Sequence, residues 1–243
     1  MLSDELRGAM RTFTAHHLIV RRWGEKQIQA DCPFCGKERH FYVNPVTRLW
    51  DCKVCGARGN VGQFLYGMHR QYLEYLEDPD HAHLYARLSA DRRLPITAFK
   101  AWKVGYDPVD EVYTIPVFDG TESLCDIKRY KIGRKTMSTP ATNSGLFNRL
   151  QIQYHKKVFI CEGEWDGMAM DWLLKINKIT DACAVAVSGA GTFKMDWVKH
   201  FQGKDVFCMY DHDGAGEKGQ LLVRERLTGV AASLAYIHWP DNY

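Results

Sequence analysis

Four cysteines in two tight pairs, Cys32-Pro-Phe-Cys35 and Cys52-Lys-Val-Cys55, constrain the first part of this chain more than any other feature. Two C-x2-C pairs separated by sixteen residues can place four thiolates on two short loops, the spacing of a tetrahedral zinc site. A glycine follows each pair, Gly36 and Gly56, and permits the tight turn that aims backbone amides at sulfur. With four protein ligands such a site is closed, so its expected role is structural. Phe41, Val43 and residues 50–52 read as short strands around the metal. Four buried free thiols would fit poorly with the glycines and charges beside each pair. A redox pair is disfavoured, because there are two pairs and no apolar strand precedes them. Cys125, Cys161, Cys183 and Cys208 stand alone among apolar residues and read as small core side chains.

The chain has 243 residues and 46% hydrophobic residues, enough for one large or two to three small packed domains. No apolar run reaches the roughly 18 residues of a membrane span, and the first residues lack the blocks of a signal peptide. The expected compartment is therefore the cytoplasm, where thiols stay reduced. The net charge of +3 is unevenly spread. Residues 1–60 hold ten Lys/Arg against six Asp/Glu, residues 121–160 eight against two, and residues 161–217 five against ten. Basic segments beside an acidic one fit a nucleic-acid surface next to a metal site, although charge alone favours a chance solvated distribution.

After a short helical start, Asn60 is placed to cap a helix running to about residue 77, and residues 78–90 read as a linker. Pro95 suits the first turn of a short helix, and residues 112–118 and 123–130 alternate like a β-hairpin. From residue 156 apolar strands (158–161, 182–187, 205–210, 231–238) alternate with helices (166–176, 193–201, 215–227). Continuous apolar strands between helices predict a parallel sheet covered on both faces.

The chemistry-bearing residues cluster at the ends of those strands. Glu162 follows one strand, with Glu164 and Asp166 just beyond it; Asp211 and Asp213 follow another. Ligands of parallel sheets bind at the carboxyl ends of strands. Carboxylates gathered there repel unless a cation neutralises them, and oxygen-only ligands suit magnesium or manganese. Ser188-Gly-Ala-Gly-Thr192 is a glycine-rich turn able to bring amides to a phosphate, a weak signal by itself. An acid at a helix start is often only a cap. A calcium loop opening at Asp211 fails, because its twelfth position is Leu222. A haloacid-dehalogenase nucleophile is discounted, because too little chain follows. His212 reads as packing, and His81-Ala-His83 as polar linker.

Glu162-Gly-Glu-x-Asp166, the Ser188-Gly-x-Gly turn and Asp211-x-Asp213-Gly resemble the TOPRIM domain of primases, topoisomerases, OLD-type nucleases and RecR-type repair proteins. A zinc ribbon, a spacer of about a hundred residues and then TOPRIM is the order of DnaG-type primases. Four cysteines are more similar to the phage primase–helicase branch. Lys128-Arg-Tyr-Lys131, Lys135-Thr-Met-Ser-Thr139 and Gly145-Leu-Phe147 are similar to the basic strand preceding TOPRIM in these enzymes. The resemblance covers about residues 30 to 240.

The resemblance implies α/β architecture: an N-terminal zinc ribbon with its following helix (1–77), the linker (78–90), a small basic mixed α+β subdomain (91–155) and a TOPRIM domain (156–243). It implies synthesis of RNA primers from nucleoside triphosphates on single-stranded DNA, in bacterial, phage or mobile-element replication. Glu162 would be the acid–base residue or ligand, Asp211 and Asp213 would hold magnesium or manganese, and Asp166 and Glu164 would support them. Lys128, Arg129, Lys131 and Lys135 would grip triphosphate or template; the alternative is a strand edge blunted by charge. On the ribbon, Arg39, His40, Tyr42, Arg48, Trp50, Lys53 and Arg58 interleave cations and aromatics, and Arg48, Trp50 and Lys53 are the expected template contacts. A further metal-binding acid would be Asp241 or lie beyond Tyr243. No Gly-x4-Gly-Lys-Ser/Thr loop occurs, so a replicative helicase would be a partner or another part of a longer protein. The rival readings are a RecR-like DNA-binding protein and a TOPRIM nuclease.

Overall fold

A computed structural model describes residues 4–237, so Asp241 lies outside the described residues. The chain packs into two units, one of residues 1–82 and 104–143 and the other of residues 83–103 and 144–243.

In the first unit, helix α1 (Asp4–Thr14) precedes a five-stranded antiparallel sheet of β1 (Val20–Arg22), β2 (Ile28–Ala30), β3 (Phe41–Val43), β4 (Trp50–Cys52) and β5 (Arg58–Gly59), in that order. Successive strand residues point to opposite faces. Ile28, Ala30, Phe41, Val43, Trp50 and Cys52 are therefore buried, and they meet Met10 and Phe13 of α1. Helix α2 (Val61–Glu77) closes this core with Phe64, Leu65 and Met68. Phe41 stacks on Trp50 at 5.1 Å between centroids. The expected Asn60 cap is present as a capping box, with Asn60 and Gln63 each satisfying the other's backbone amide.

A second antiparallel sheet, of β6 (Gly105–Asp107), β7 (Val112–Phe118), β8 (Leu124–Tyr130) and β9 (Met137–Ser138), belongs to the same unit. Leu124 and Ile127 of β8 enter the core built on α2. A Cβ on Gly105 would lie 2.8 Å from the Leu73 amide nitrogen, so glycine permits the close approach of β6 to α2. The basic hairpin thus shares a core with the cysteine module, and the compact units cut across the segments drawn from the sequence.

The second unit begins with α3 (Ala82–Arg92) and α4 (Ile96–Ala101). Residues 79–92, within and beyond the expected linker, are helical: a 3-10 turn at Pro79–His81 leads directly into α3. Leu84, Tyr85 and Leu88 are buried, and that apolar spacing outweighs the polar composition that suggested a loop. A four-stranded parallel sheet follows, made of β10 (Lys157–Cys161), β11 (Ala182–Ala186), β12 (Asp205–Met209) and β13 (Ser233–Tyr236), in the order β11-β10-β12-β13. Helix α5 (Glu164–Ile176) covers one face, where Leu174 packs with Ala182 and Ala184. Helix α6 (Gly214–Leu227) and a 3-10 helix at Met195–Phe201 cover the other, burying Val223, Leu227 and Phe201 with Val158, Val185 and Val206. The segment expected as an α-helix at 193–201 is thus a shorter 3-10 helix. The sheet is built outward from β10 in both directions, so the strand order reverses there. That reversal opens a crevice at the carboxyl ends, where parallel sheets bind ligands. Among the described residues no helix is long and apolar enough to cross a membrane.

Candidate functional site

The crevice at the carboxyl edge is lined by acids. β10 runs into Glu162, and β12 runs through Tyr210 into Asp211 and Asp213. Cys161 pairs in register with Met209, so the two chains leave the sheet at the same level. The Asp211 amide then donates to Glu162 Oε2 at 3.3 Å. β11, on the other side of β10, is joined to the site too, because the Gly189 amide beyond it donates to the Glu162 carbonyl at 3.0 Å. Gly189 sits at φ 125°, a left-handed conformation that favours glycine. The Ser188–Thr192 turn is therefore folded against Glu162, and the Ala190 amide faces its carboxylate.

Electrostatics in the crevice are strained toward protonation. Burial raises the Glu162 pKa above the ordinary glutamate value. The charges of Asp211 and Asp213 add to the rise, and the Asp211 and Ala190 amides offset part of it. Asp166 is exposed by surface area, yet the crevice walls dehydrate its carboxyl, and Asp211 and Glu164 repel it, so its pKa is raised as well. Asp213 caps α6, its Oδ1 accepting from the Ala215 and Gly216 amides at 2.9 and 2.7 Å. A Cβ on Gly216 would fall 2.0 Å from the Asp211 carbonyl oxygen, so this glycine lets the acidic loop fold over the helix start. Glu164 is buried in the first turn of α5. His212, expected as packing, is exposed, because it lies in the loop beyond the strand rather than in the sheet. The acids offer oxygen donors only, the set that hard divalent cations take. They are not drawn tightly together: among the described residues, only two groups bring three or more ligand atoms within 4.8 Å of one another, and these acids form neither.

The first of those groups is the cysteine set Cys32, Cys35, Cys52 and Cys55. Cys32 Sγ lies 3.9 Å from Cys55 Sγ, and Cys35 Sγ lies 3.8 Å from Cys52 Sγ. Four sulfurs at about 2.3 Å from a tetrahedral zinc are about 3.8 Å apart, so the cluster has the dimensions to hold that ion. The two loops are alike. The Gly36 amide donates to the Cys32 carbonyl and the Gly56 amide to the Cys52 carbonyl, with φ 70° and 75° at the glycines. Burial pushes the Cys52 thiol up, but hydrogen bonds from the Cys55 and Val54 amides and from the Cys55 and Cys32 side chains together bring the pKa down to about 7. Amides aimed at sulfur favour the thiolate, which is the ligand form.

The second group is His17, Asp107 and Asp110. Arg129 already lies there, donating to Asp107 at 2.9 Å, to Asp110, and to the Ala15 carbonyl at 2.6 Å. A guanidinium in the middle of the carboxylates does the neutralising that a cation would do.

The basic residues separate into internal and outward ones. Arg129 is engaged in that cluster, and Lys128 is buried, donating to Ser138 Oγ at 2.6 Å beside Asp126 at 3.6 Å. Lys131 and Lys135 are exposed, with Lys131 3.6 Å from Glu111. On the ribbon, Trp50 is 6% exposed, stacked on Phe41 and donating from Nε1 to the Asn60 carbonyl at 2.7 Å, so its faces are taken by the core. Arg48 Nη2 donates to Thr12 Oγ1 at 2.7 Å, and Lys53 is exposed beside Asp51. The outward face of the sheet instead carries a row set by register: Arg22, Gln29, Tyr42, Asp51 and Arg58, one from each strand. Tyr42 is half-buried, with its hydroxyl accepting from Gln29 Nε2 at 3.2 Å. Strand parity, readable in Phe41-Tyr42-Val43, marks Tyr42 rather than Trp50 as the outward aromatic.

No protein-family model matches the sequence, and no curated protein matches it. Among solved structures, the chain is similar to the RNA polymerase domain of Mycobacterium tuberculosis primase DnaG. The TM-score is 0.52 at 15% identity, covering 72% of this chain and 74% of that one. At that identity the likeness is one of fold. A chain from the structure of bacteriophage T7 lagging-strand DNA polymerase with primase domains of two gp4 subunits, bound to an RNA/DNA hybrid and dTTP, gives a TM-score of 0.47. It is 17% identical over 60% of this chain and 76% of that one, and no argument rests on it.

Proposed function

We propose that this chain is a DNA-directed primase that joins ribonucleotides on a single-stranded template by metal-dependent nucleotidyl transfer. One observation carries the reading: Glu162 and the Asp211–Asp213 loop meet at the strand-order reversal of a parallel sheet, with Glu162 Oε2 3.3 Å from the Asp211 amide. The shared fold with a primase polymerase domain supports it. Glu162, Asp211 and Asp213 hold magnesium or manganese, and Asp166 and Glu164 support the site from the start of α5. Bound there, divalent cations supply charge neutralisation for the triphosphate and activation of the attacking hydroxyl. Glu162 serves as ligand or as acid–base residue; until an ion binds, burial and the Asp211 and Asp213 charges raise its pKa. The four cysteines hold a structural zinc, and Tyr42 with Arg58 and Lys53 contacts template on the open ribbon face. Lys131 and Lys135 serve triphosphate or template; Lys128, Arg129, Arg48 and Trp50 shape the fold that presents them. A replicative helicase, fused or separate, is the proposed partner.

The test is oligoribonucleotide synthesis on single-stranded DNA with labelled triphosphates and Mg2+ or Mn2+. Glu162→Gln is expected to abolish product and leave template binding intact. Equal product from both proteins would remove Glu162 from the mechanism, and no product from the native chain on any template would remove the activity.

A further inference from the structure

The two edges of the parallel sheet differ in charge: acids gather at the carboxyl edge, and lysines outnumber Asp181 and Asp205 at the amino edge, where these pair with Lys157 and Lys156. Helices start at the carboxyl edge, and their first turns bear Glu164, Asp166, Asp196 and Glu217; they end at the amino edge, and their last turns bear Lys175, Lys199, His200, Arg224 and Arg226. The helix dipole accounts for part of this asymmetry. It does not account for Lys156 and Lys204 at the strand starts, for Lys178 beyond α5, or for Tyr154, a tyrosine 73% exposed at the amino end of β10. Among the described residues the Lys178 and Lys199 side chains make no ion pair. Lys156 and Lys204 each donate to a carbonyl, of Gly203 and His155, and keep further donors, although Lys156 also lies 3.9 Å from Asp205. His155, the next residue after Tyr154, lines a cleft of about 390 Å³ together with Asn148, Gln151, Asp171, Lys175 and Lys178, the Asp171 carboxylate accepting from Lys175 at 2.7 Å. Its volume lies in the range of sites for small planar groups.

We infer that the amino edge of the parallel unit is a second nucleic-acid face that holds a single strand. Tyr154 stacks a base, the cleft accepts its neighbour through the Asn148 and Gln151 amides, and Lys178, Lys199 and Lys156 take the phosphates. A single strand fits better than an acidic protein segment, because this edge offers an exposed aromatic and a polar cleft as well as cations. A duplex would keep its bases from both. The inference stands apart from the proposed chemistry, since the face lies at the opposite edge from the acids.

Fluorescence anisotropy of the full chain with labelled oligothymidylate across a salt series tests it. Lys178→Gln with Lys199→Gln is expected to flatten the log Kd against log salt slope by about 1.4, at about 0.7 per phosphate contact on a single strand. Tyr154→Ala is expected to weaken binding at least about fivefold with little change in slope. Glu162→Gln is expected to leave both unchanged, so the face and the catalytic reading fail independently. An oligonucleotide carrying 5-iododeoxyuridine is expected to photocross-link to Tyr154. Unchanged affinity and slope in the lysine and tyrosine variants, with melting curves matching the native chain, would overturn the inference and leave the edge to an acidic protein. Cross-links confined to residues 20–60 would overturn it as well.

Discussion

The cysteine cluster brings its sulfurs to 3.8 and 3.9 Å, the edge length of a zinc tetrahedron, whereas the carboxylates around Glu162 stay apart. The difference follows from charge and anchoring. The thiols can be neutral until metal arrives, and each pair is locked in a glycine-closed loop of backbone hydrogen bonds. Burial raises the Glu162 and Asp166 pKa values, and repulsion from the neighbouring carboxylates adds to the rise. Their loops hold them at the rim of a crevice open to solvent. A closed site suits a structural ion; an open one suits an ion that must also meet substrate.

The comparison breaks most readily at the closed site. Cys52→Ser, or a strong chelator, is expected to abolish cooperative unfolding of the first unit, since structural zinc in small modules contributes about 10–16 kcal/mol of folding free energy. Circular dichroism and metal content measured together check this. An unchanged melting curve in metal-free protein would show that the cluster does not need its ion.

Next in size are two ribbon aromatics. Trp50→Ala should cost about 3–5 kcal/mol of stability, because it empties the core between Phe41 and Phe64. Tyr42→Ala should leave melting nearly unchanged and weaken single-strand binding by about 1–3 kcal/mol. Denaturant unfolding and anisotropy on both variants separate the roles. The opposite pattern would return Trp50 to the template surface.

The smallest effect sharpens the open site. Glu162 and Asp166 bind protons more tightly folded than unfolded, so their contribution to stability is fully present below the unfolded carboxyl range. It is lost as pH rises through their raised folded values. Added Mg2+ should recover that loss at pH 7 and have little effect at pH 4. Melting temperatures with and without Mg2+ across that range check the sign. A Mg2+ effect equal at both pH values would place the ion elsewhere.

Much of this was legible in the chain. Spacing alone placed the cysteine loops, because Cys-x2-Cys-Gly geometry is local. Alternation of apolar strands with helices placed Glu162 and Asp211 at strand ends, because a parallel sheet must connect through crossovers. What failed depended on neighbours distant in sequence. The helix at Ala82–Arg92 was hidden by polar residues, since only packing shows which face Leu84 and Leu88 bury. Arg129 read as a ligand-gripping cation until the fold brought Asp107 and Asp110 to it.

The sequence by itself therefore determined the ligand chemistry, the order of elements and the strand ends at which the acids emerge, because these depend on residues a few positions apart. Only the tertiary structure decided which cations are engaged, which ribbon aromatic faces outward, and that the basic hairpin shares its core with the cysteine module. Those outcomes depend on strand register and on pairings across about a hundred residues, such as Ala15 with Arg129, that no short window of sequence contains.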